Sequence, residues 1–188
     1  MLKNVQEELN RFAKYVVKQA KTNLTKGMPV KNGKKYSKND TKAGYDSLDS
    51  ELTVSKNSFG LEFMMEDYLV FQDRGVKGTK SGESLDNFSY KKSSNLVGVE
   101  YHTGTLAAWA KRKGVQFRNK KGKYVTHEQT GYMLANLIKR RGIKPSMFFT
   151  KPFNNAFKRL DKDIIEAFKL DVEDLLLSTT KDNLKNGN

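Results

Sequence analysis

The stretch PFNNAFKRLDKDIIEAFKLDVEDLLL, Pro152–Leu177, decides the fold. Phe153, Phe157, Leu160, Ile164, Phe168, Val172 and Leu175 recur in it at steps of three and four residues, the period of one apolar helix face. This spacing predicts the longest helix of the chain over 152–177, with residues 178–188 as a flexible tail. The opposite end reads the same way. Leu2, Val5, Leu9, Phe12, Val16 and Ala20 alternate with Lys3, Glu7, Arg11, Lys14, Lys18 and Lys21, an amphipathic helix over 2–24 that Gly27 and Pro29 stop. Phe12 and Phe157 are among the aromatic residues expected in the core.

Between these helices the period changes to two. Leu48, Leu52 and Val54 fall at even positions, and Phe59, Leu61 and Phe63 share one face of a second strand, with the turn KNS between them. An antiparallel hairpin follows from that pattern, and a short helix in DYLVFQDRG closes on Gly75. Residues 31–44 (KNGKKYSKNDTKAG) and 77–100 read as irregular. Helices are expected over 105–113, ending at Gly114, and over 126–141, where Thr126 and Gln129 stand at capping-box spacing and Gly142 ends the run. VQFRNKKGKYV between them resembles a basic hairpin tip. The expectation is an α+β fold: a small antiparallel sheet of three or four strands, packed against long N- and C-terminal helices, with a basic mixed insertion. A single structural domain over 1–188 has its core in 1–76 and 143–177 and its insertion in 77–142.

The apolar fraction of 37% is enough for a folded core in a chain of 188 residues. No apolar run reaches the ~20 residues of a membrane span, and no signal peptide is apparent, so the chain is expected to be made in the cytoplasm and to have no membrane partner. Cysteine is absent, which excludes disulfides, thiolate metal sites and cysteine nucleophiles. The net charge of +14 is unevenly spread. Residues 1–45 carry 11 basic against 3 acidic side chains, 46–76 carry 2 against 7, 77–151 carry 16 against 4, and 152–188 carry 6 against 7. Such patching suits subunits that pack on one another while facing a polyanion, or else a solvated basic surface.

Few residues offer chemistry. His102 and His127 lie near helix starts with no further ligand at a metal spacing, which reads as surface or cap histidines. Glu62, Glu66 and Asp67 cluster in GLEFMMEDY without the lysine a two-metal nuclease would need, and GVKGTKSG lacks the spacing of a phosphate loop. No catalytic residue, metal site or cofactor is therefore assigned. The cations Lys111, Arg112, Lys113, Arg118, Lys120, Lys121 and Lys123 are the remaining signal, a candidate surface facing DNA or another polyanion. Trp109, Phe117 and Tyr124 interleave with them, and the spacing favours a core role for Trp109 and Phe117.

Two further segments carry a resemblance. DYLVFQDRGVKGT (Asp67 to Thr79) follows the hairpin, and IKPSMFFTKPFNNAF (Ile143 to Phe157) opens the last helix. This order resembles the tail-completion, or head–tail joining, family of tailed double-stranded DNA phages. That family carries a YA-x-x-x-E-x-GT segment after a hairpin and a Pro–Phe segment at its final helix. Tyr68, Gly75 and Gly78–Thr79 correspond to the first segment, Pro152 and Phe153 to the second. The acidic residue before the glycine is replaced by the pair Asp73–Arg74.

The resemblance implies a structural, non-enzymatic virion protein of the neck or tail: a homo-oligomeric ring joining head and tail around the DNA path. Portal, neck or tail proteins would be its neighbours, with non-specific contacts to packaged DNA. The competing expectation is a free nucleic-acid-binding protein that uses the basic aromatic insertion.

Overall fold

The structure, a computed structural model, describes residues 2–26, 28–29, 35–36, 42–56, 58–90 and 97–185. The chain forms two compact units, Met1–Asp67 with Met147–Asn188, and Tyr68–Ser146. Its class is α+β, with long terminal helices and small antiparallel strand pairs.

In the first unit, helix α1 (Lys3–Thr25) packs against the C-terminal helix, and the elements between them are β1 (Met28–Pro29), β2 (Lys35–Tyr36), α2 (Ala43–Asp46), β3 (Asp49–Val54) and β4 (Phe59–Met64). The expected face of α1 is the buried one: Val5, Leu9, Phe12, Val16 and Ala20 point inward, joined by Ala13 and Leu24. β3 and β4 pair antiparallel with Leu52 opposite Leu61 and Ser50 opposite Phe63, and Ser55 N donates to Ser58 O at 2.9 Å across the turn. Phe59, Leu61 and Phe63 lie half-buried against the α1 core. Glu62, the outward residue between Leu61 and Phe63, faces Glu51 across the pair on the exposed side. Most of the basic loop expected at 31–44 lies outside the described residues; within it, Lys35–Tyr36 pairs with Met28–Pro29.

The C-terminal helix, α6 (Thr150–Lys185), begins before and ends after the expected bounds. Pro152 sits buried in its first turn, where a missing N–H costs nothing. Phe153 is the centre of an aromatic cluster. It stacks on Phe149 (5.8 Å) and Phe157 (5.6 Å) and meets Phe12 and Phe63 edge-on at 5.7 and 5.8 Å. α1 and α6 run antiparallel, since Asn4 bonds Asp171 at one end while Asn23 Nδ2 donates to Phe148 O at 3.0 Å at the other.

The face of α6 that packs inward overlaps the expected one only in Phe153, Leu160 and Ile164. Beyond Pro152, its buried residues among those described are Leu160, Ala167 and Asp171, with Ala156 and Ile164 partly buried beside them. Phe157 is 49% exposed and Leu175 64%, and Phe168 and Val172 are exposed as well. At 100° per residue the apolar residues of α6 cover two adjacent arcs, and α1 covers only one of them.

The second unit holds α3 from Tyr68 onward (Asp67–Arg74), β5 (Val76–Lys77), α4 (Val97–Lys113), α5 (His127–Arg141) and β6 (Gly142–Ile143). α4 starts at Val97, well before the expected 105, and α5 starts behind its full capping box: Thr126 Oγ1 accepts from Gln129 N, and Gln129 Oε1 from Thr126 N, both at 3.2 Å. The two helices pack together, and the buried positions Ala110, Thr130, Gly131 and Ala135 are small, which lets the axes approach closely. The expected sheet of three or four strands is not formed. Among the described residues there are three separate two-stranded ladders, β1–β2, β3–β4 and β5–β6, because only β3 and β4 are long enough to carry an alternating face.

Candidate functional site

The seven cations singled out from the sequence occupy the end of α4 and the loop that leads to α5. Lys111, Arg112 and Lys113 form the last turn of α4, and Gly114 takes φ +64° to leave it. Of the expected hairpin over 115–125, a single antiparallel bridge forms between Arg118 and Tyr124, with Val125 N donating to Phe117 O at 3.0 Å and a tight turn over 119–123 at its tip. Asn119 builds that turn: its Oδ1 accepts from Lys121 N and Lys123 N, both at 3.0 Å, and its N donates to Lys123 O at 2.8 Å. The side chains of Lys120, Lys121 and Lys123 are left exposed at the tip. Arg118 lies over the Tyr124 ring at 4.4 Å and donates Nη2 to Tyr124 Oη at 2.8 Å, so this pair is a cation–π stack of its own. Trp109 and Phe117 are half-buried.

The residues of the family-like motif build a different feature. Gly75 is buried with φ +77°, and an added Cβ would crowd Pro145 Cδ and Cγ at 2.6 Å. Beyond it, β5 pairs with β6 so that Val76 faces Ile143 and Lys77 faces Gly142. Gly142 has φ +79°, and a Cβ there would overlap the Val76 carbonyl; a Cβ on Gly78 would overlap the Arg140 carbonyl. Thr79 N donates to Lys139 O at 2.9 Å, and Lys80 N and Ser81 N to Arg140 O at 3.0 and 3.2 Å. The segment after Gly78 thus caps the C-terminus of α5, whose orphan carbonyls would otherwise need water. Ser146 anchors the return, donating N to Gln72 O at 3.0 Å and Oγ to the same oxygen at 2.6 Å. The Asp73–Arg74 pair closes the knot. Asp73 is buried, and Arg74 bonds Asp86 Oδ1 at 3.2 Å and lies 3.8 Å from Asp73 Oδ2. Tyr68 is exposed on α3, while Pro152 and Phe153 belong to α6 in the first unit.

This knot brings six cations together that the sequence reading did not select: Lys77 and Lys80 from one segment, Lys139, Arg140, Arg141 and Lys144 from the other. The available signal was a glycine flanked by cations in both GVKGTKSG and KRRGIKP; their adjacency depends on a non-local strand pair that no local pattern encodes.

The other candidates stay apart. Glu62, Glu66 and Asp67 are exposed at the end of β4 and the start of α3, where Glu66 N donates to Ser47 Oγ at 3.2 Å. His127 opens α5 with its Nδ1 buried and without a hydrogen-bond partner among the described residues, and His102 lies within α4. Among the described residues no three His, Asp or Glu converge as a metal site requires. No described helix is long and apolar enough to cross a membrane. No protein-family model, curated protein or solved structure matches the chain.

Proposed function

We propose that this chain is a structural, non-enzymatic protein of a tailed phage virion, a subunit of the neck or tail-completion ring that joins head to tail around the DNA path. The observation that carries the reading is the exposed apolar arc of α6, formed by Phe157, Ile165, Phe168, Val172, Leu175 and Leu176, all at least 37% exposed. A contiguous apolar stripe of this kind marks a protein–protein surface. Identical subunits close into a ring when this arc packs on a different surface of the neighbouring copy and the rotation per subunit divides a full turn. The motif correspondences support the family: Gly75 is confined by backbone geometry, and Phe153 centres an aromatic cluster. In this reading the exposed tip lysines, Lys120, Lys121 and Lys123, face the polyanion without reading its sequence.

Deletion of the gene from the phage that encodes it is the test. The expected product is DNA-filled heads and separate tails, joined again on addition of the purified chain, with antibody label at the head–tail junction. Normal particles from the deletion, or label confined to another part of the virion, would overturn the reading.

A further inference from the structure

We infer that the knot-borne cations Lys77, Lys80, Lys139, Arg140, Arg141 and Lys144 form a second binding surface, for the phosphate backbone of duplex DNA. The six are gathered by backbone bonds between segments some sixty residues apart, and glycines at 75, 78 and 142 leave that backbone no slack. Five of the side chains are exposed and Lys139 is half-buried. Among the described residues none of the six forms an ion pair, whereas the neighbouring Arg74 holds both Asp73 and Asp86. Asp73 and Asp86 are therefore already committed to another guanidinium, and Glu83, which is exposed beside Gly82, forms no ion pair with the six among the described residues.

The ordinary reason for basic residues in a last helical turn is the set of orphan carbonyls and the negative end of the helix dipole. Here the carbonyls of Lys139 and Arg140 already accept N–H groups from Thr79, Lys80 and Ser81, and that of Ile138 accepts from Gly142. The helix end is capped by backbone, and its cations are left for an external anion.

The size of the anion follows from α5. The tip lysines precede its first residue, His127, and the knot cations begin in its last turn at Lys139, so the two clusters are about 18 Å or more apart along the helix at 1.5 Å per residue. A single phosphate can meet only one cluster, whereas duplex DNA, with one negative charge per ~1.7 Å of axis, presents phosphates to both. The inference deepens the neck reading by naming where DNA is held, yet it concerns binding by the chain itself and is tested apart from particles.

The experiment is fluorescence anisotropy of the full chain with a short mixed-sequence duplex across a salt series. Lys80→Ala, Arg140→Ala and Lys144→Ala together should melt like wild type and lower the salt slope of log K by ~2–3, at about 0.9 for each phosphate no longer neutralised. Lys80→Gln with Lys144→Gln keeps the aliphatic stems and should lower it by ~2 even if the triple variant melts early. Lys80→Arg with Lys144→Arg should bind like wild type. An unchanged slope in both neutral variants would overturn the assignment, and so would poly-glutamate displacing the duplex as well as unlabelled duplex does at equal charge. A neck reading that fails in particles leaves these slopes untouched.

Discussion

The carboxylate of Asp171 on α6 caps the N-terminus of α1: its Oδ1 accepts from the backbone N of Asn4 at 2.9 Å and from Asn4 Nδ2 at 3.0 Å, and its Oδ2 from Val5 N at 3.1 Å. Leu2, the residue at the cap position, offers no side-chain acceptor. A carboxylate from the other end of the chain therefore satisfies the orphan N–H groups and meets the positive end of the α1 dipole. The same bond fixes the antiparallel register of the two helices.

Asp171→Asn should lower stability in a way that depends on pH. Burial pushes the Asp171 carboxyl upward, but the N–H bonds from Asn4 and Val5 outweigh it and hold the group below its ordinary value. A carboxylate with a lower pKa folded than unfolded contributes its full stabilisation above the unfolded value, about 3.9, and loses it as pH falls through the folded value. Wild type should thus melt above the variant by a constant interval at neutral pH, and the interval should close in acid. Melting curves between neutral and strongly acidic pH check this; an interval that does not close would mean that charge is not what Asp171 supplies.

Two phenylalanines that look alike in the sequence should behave differently. Phe12 is 7% exposed and touches Phe63 and Phe153, so Phe12→Ala should cost about 3–5 kcal/mol. Phe157 is half-exposed and rests on Phe153 alone among the described ring contacts; Phe157→Ala should cost less than about half as much. Denaturant midpoints of the two variants decide the point, and equal losses would contradict this packing.

How much was legible follows from this pair. α1 and the β3–β4 hairpin were readable because each has one apolar face in a single period, and the capping box of α5 was readable because Thr126 and Gln129 are local. α6 was readable as a helix, but its apolar residues fill two arcs and periodicity alone does not say which arc is covered. Asp171, a carboxylate on the buried arc, shows which one is. The start of α4 was hidden by Gly98 and Gly104, both poor helix formers. Of the candidate site, the tip cations were a visible run, whereas the knot cations depend on strands of two residues each, too short to leave an alternation.

The glycines of the knot should not tolerate a methyl group. Gly142 combines φ +79° with a Cβ position that overlaps the Val76 carbonyl, whereas Gly122, at φ +80°, has open space around it. Gly122→Ala should cost about 1–2 kcal/mol, the left-handed backbone penalty alone. Gly142→Ala should cost distinctly more, because β5 and β6 must part to admit it. Urea denaturation of both variants is the check, and equal losses would show that the strand pair yields without cost.

The apolar arc of α6 should be separable from the fold that carries it. Phe168 and Leu175 are 48% and 64% exposed, so Phe168→Lys with Leu175→Lys removes little buried surface. Surface changes of this kind usually shift stability by less than about 0.5 kcal/mol each, and the double variant should melt close to wild type. Its self-association should fail. Patches of unlike charge also draw subunits together, and salt weakens that attraction as the Debye length shortens to ~8 Å near physiological strength. The apolar contact does not weaken in this way, so wild type should still associate in high salt while the double variant sediments as a monomer. Sedimentation velocity at low and high salt distinguishes the two forces. A double variant that associates like wild type in high salt would show that α6 is not the contact, and with it the observation on which the ring reading rests would be gone.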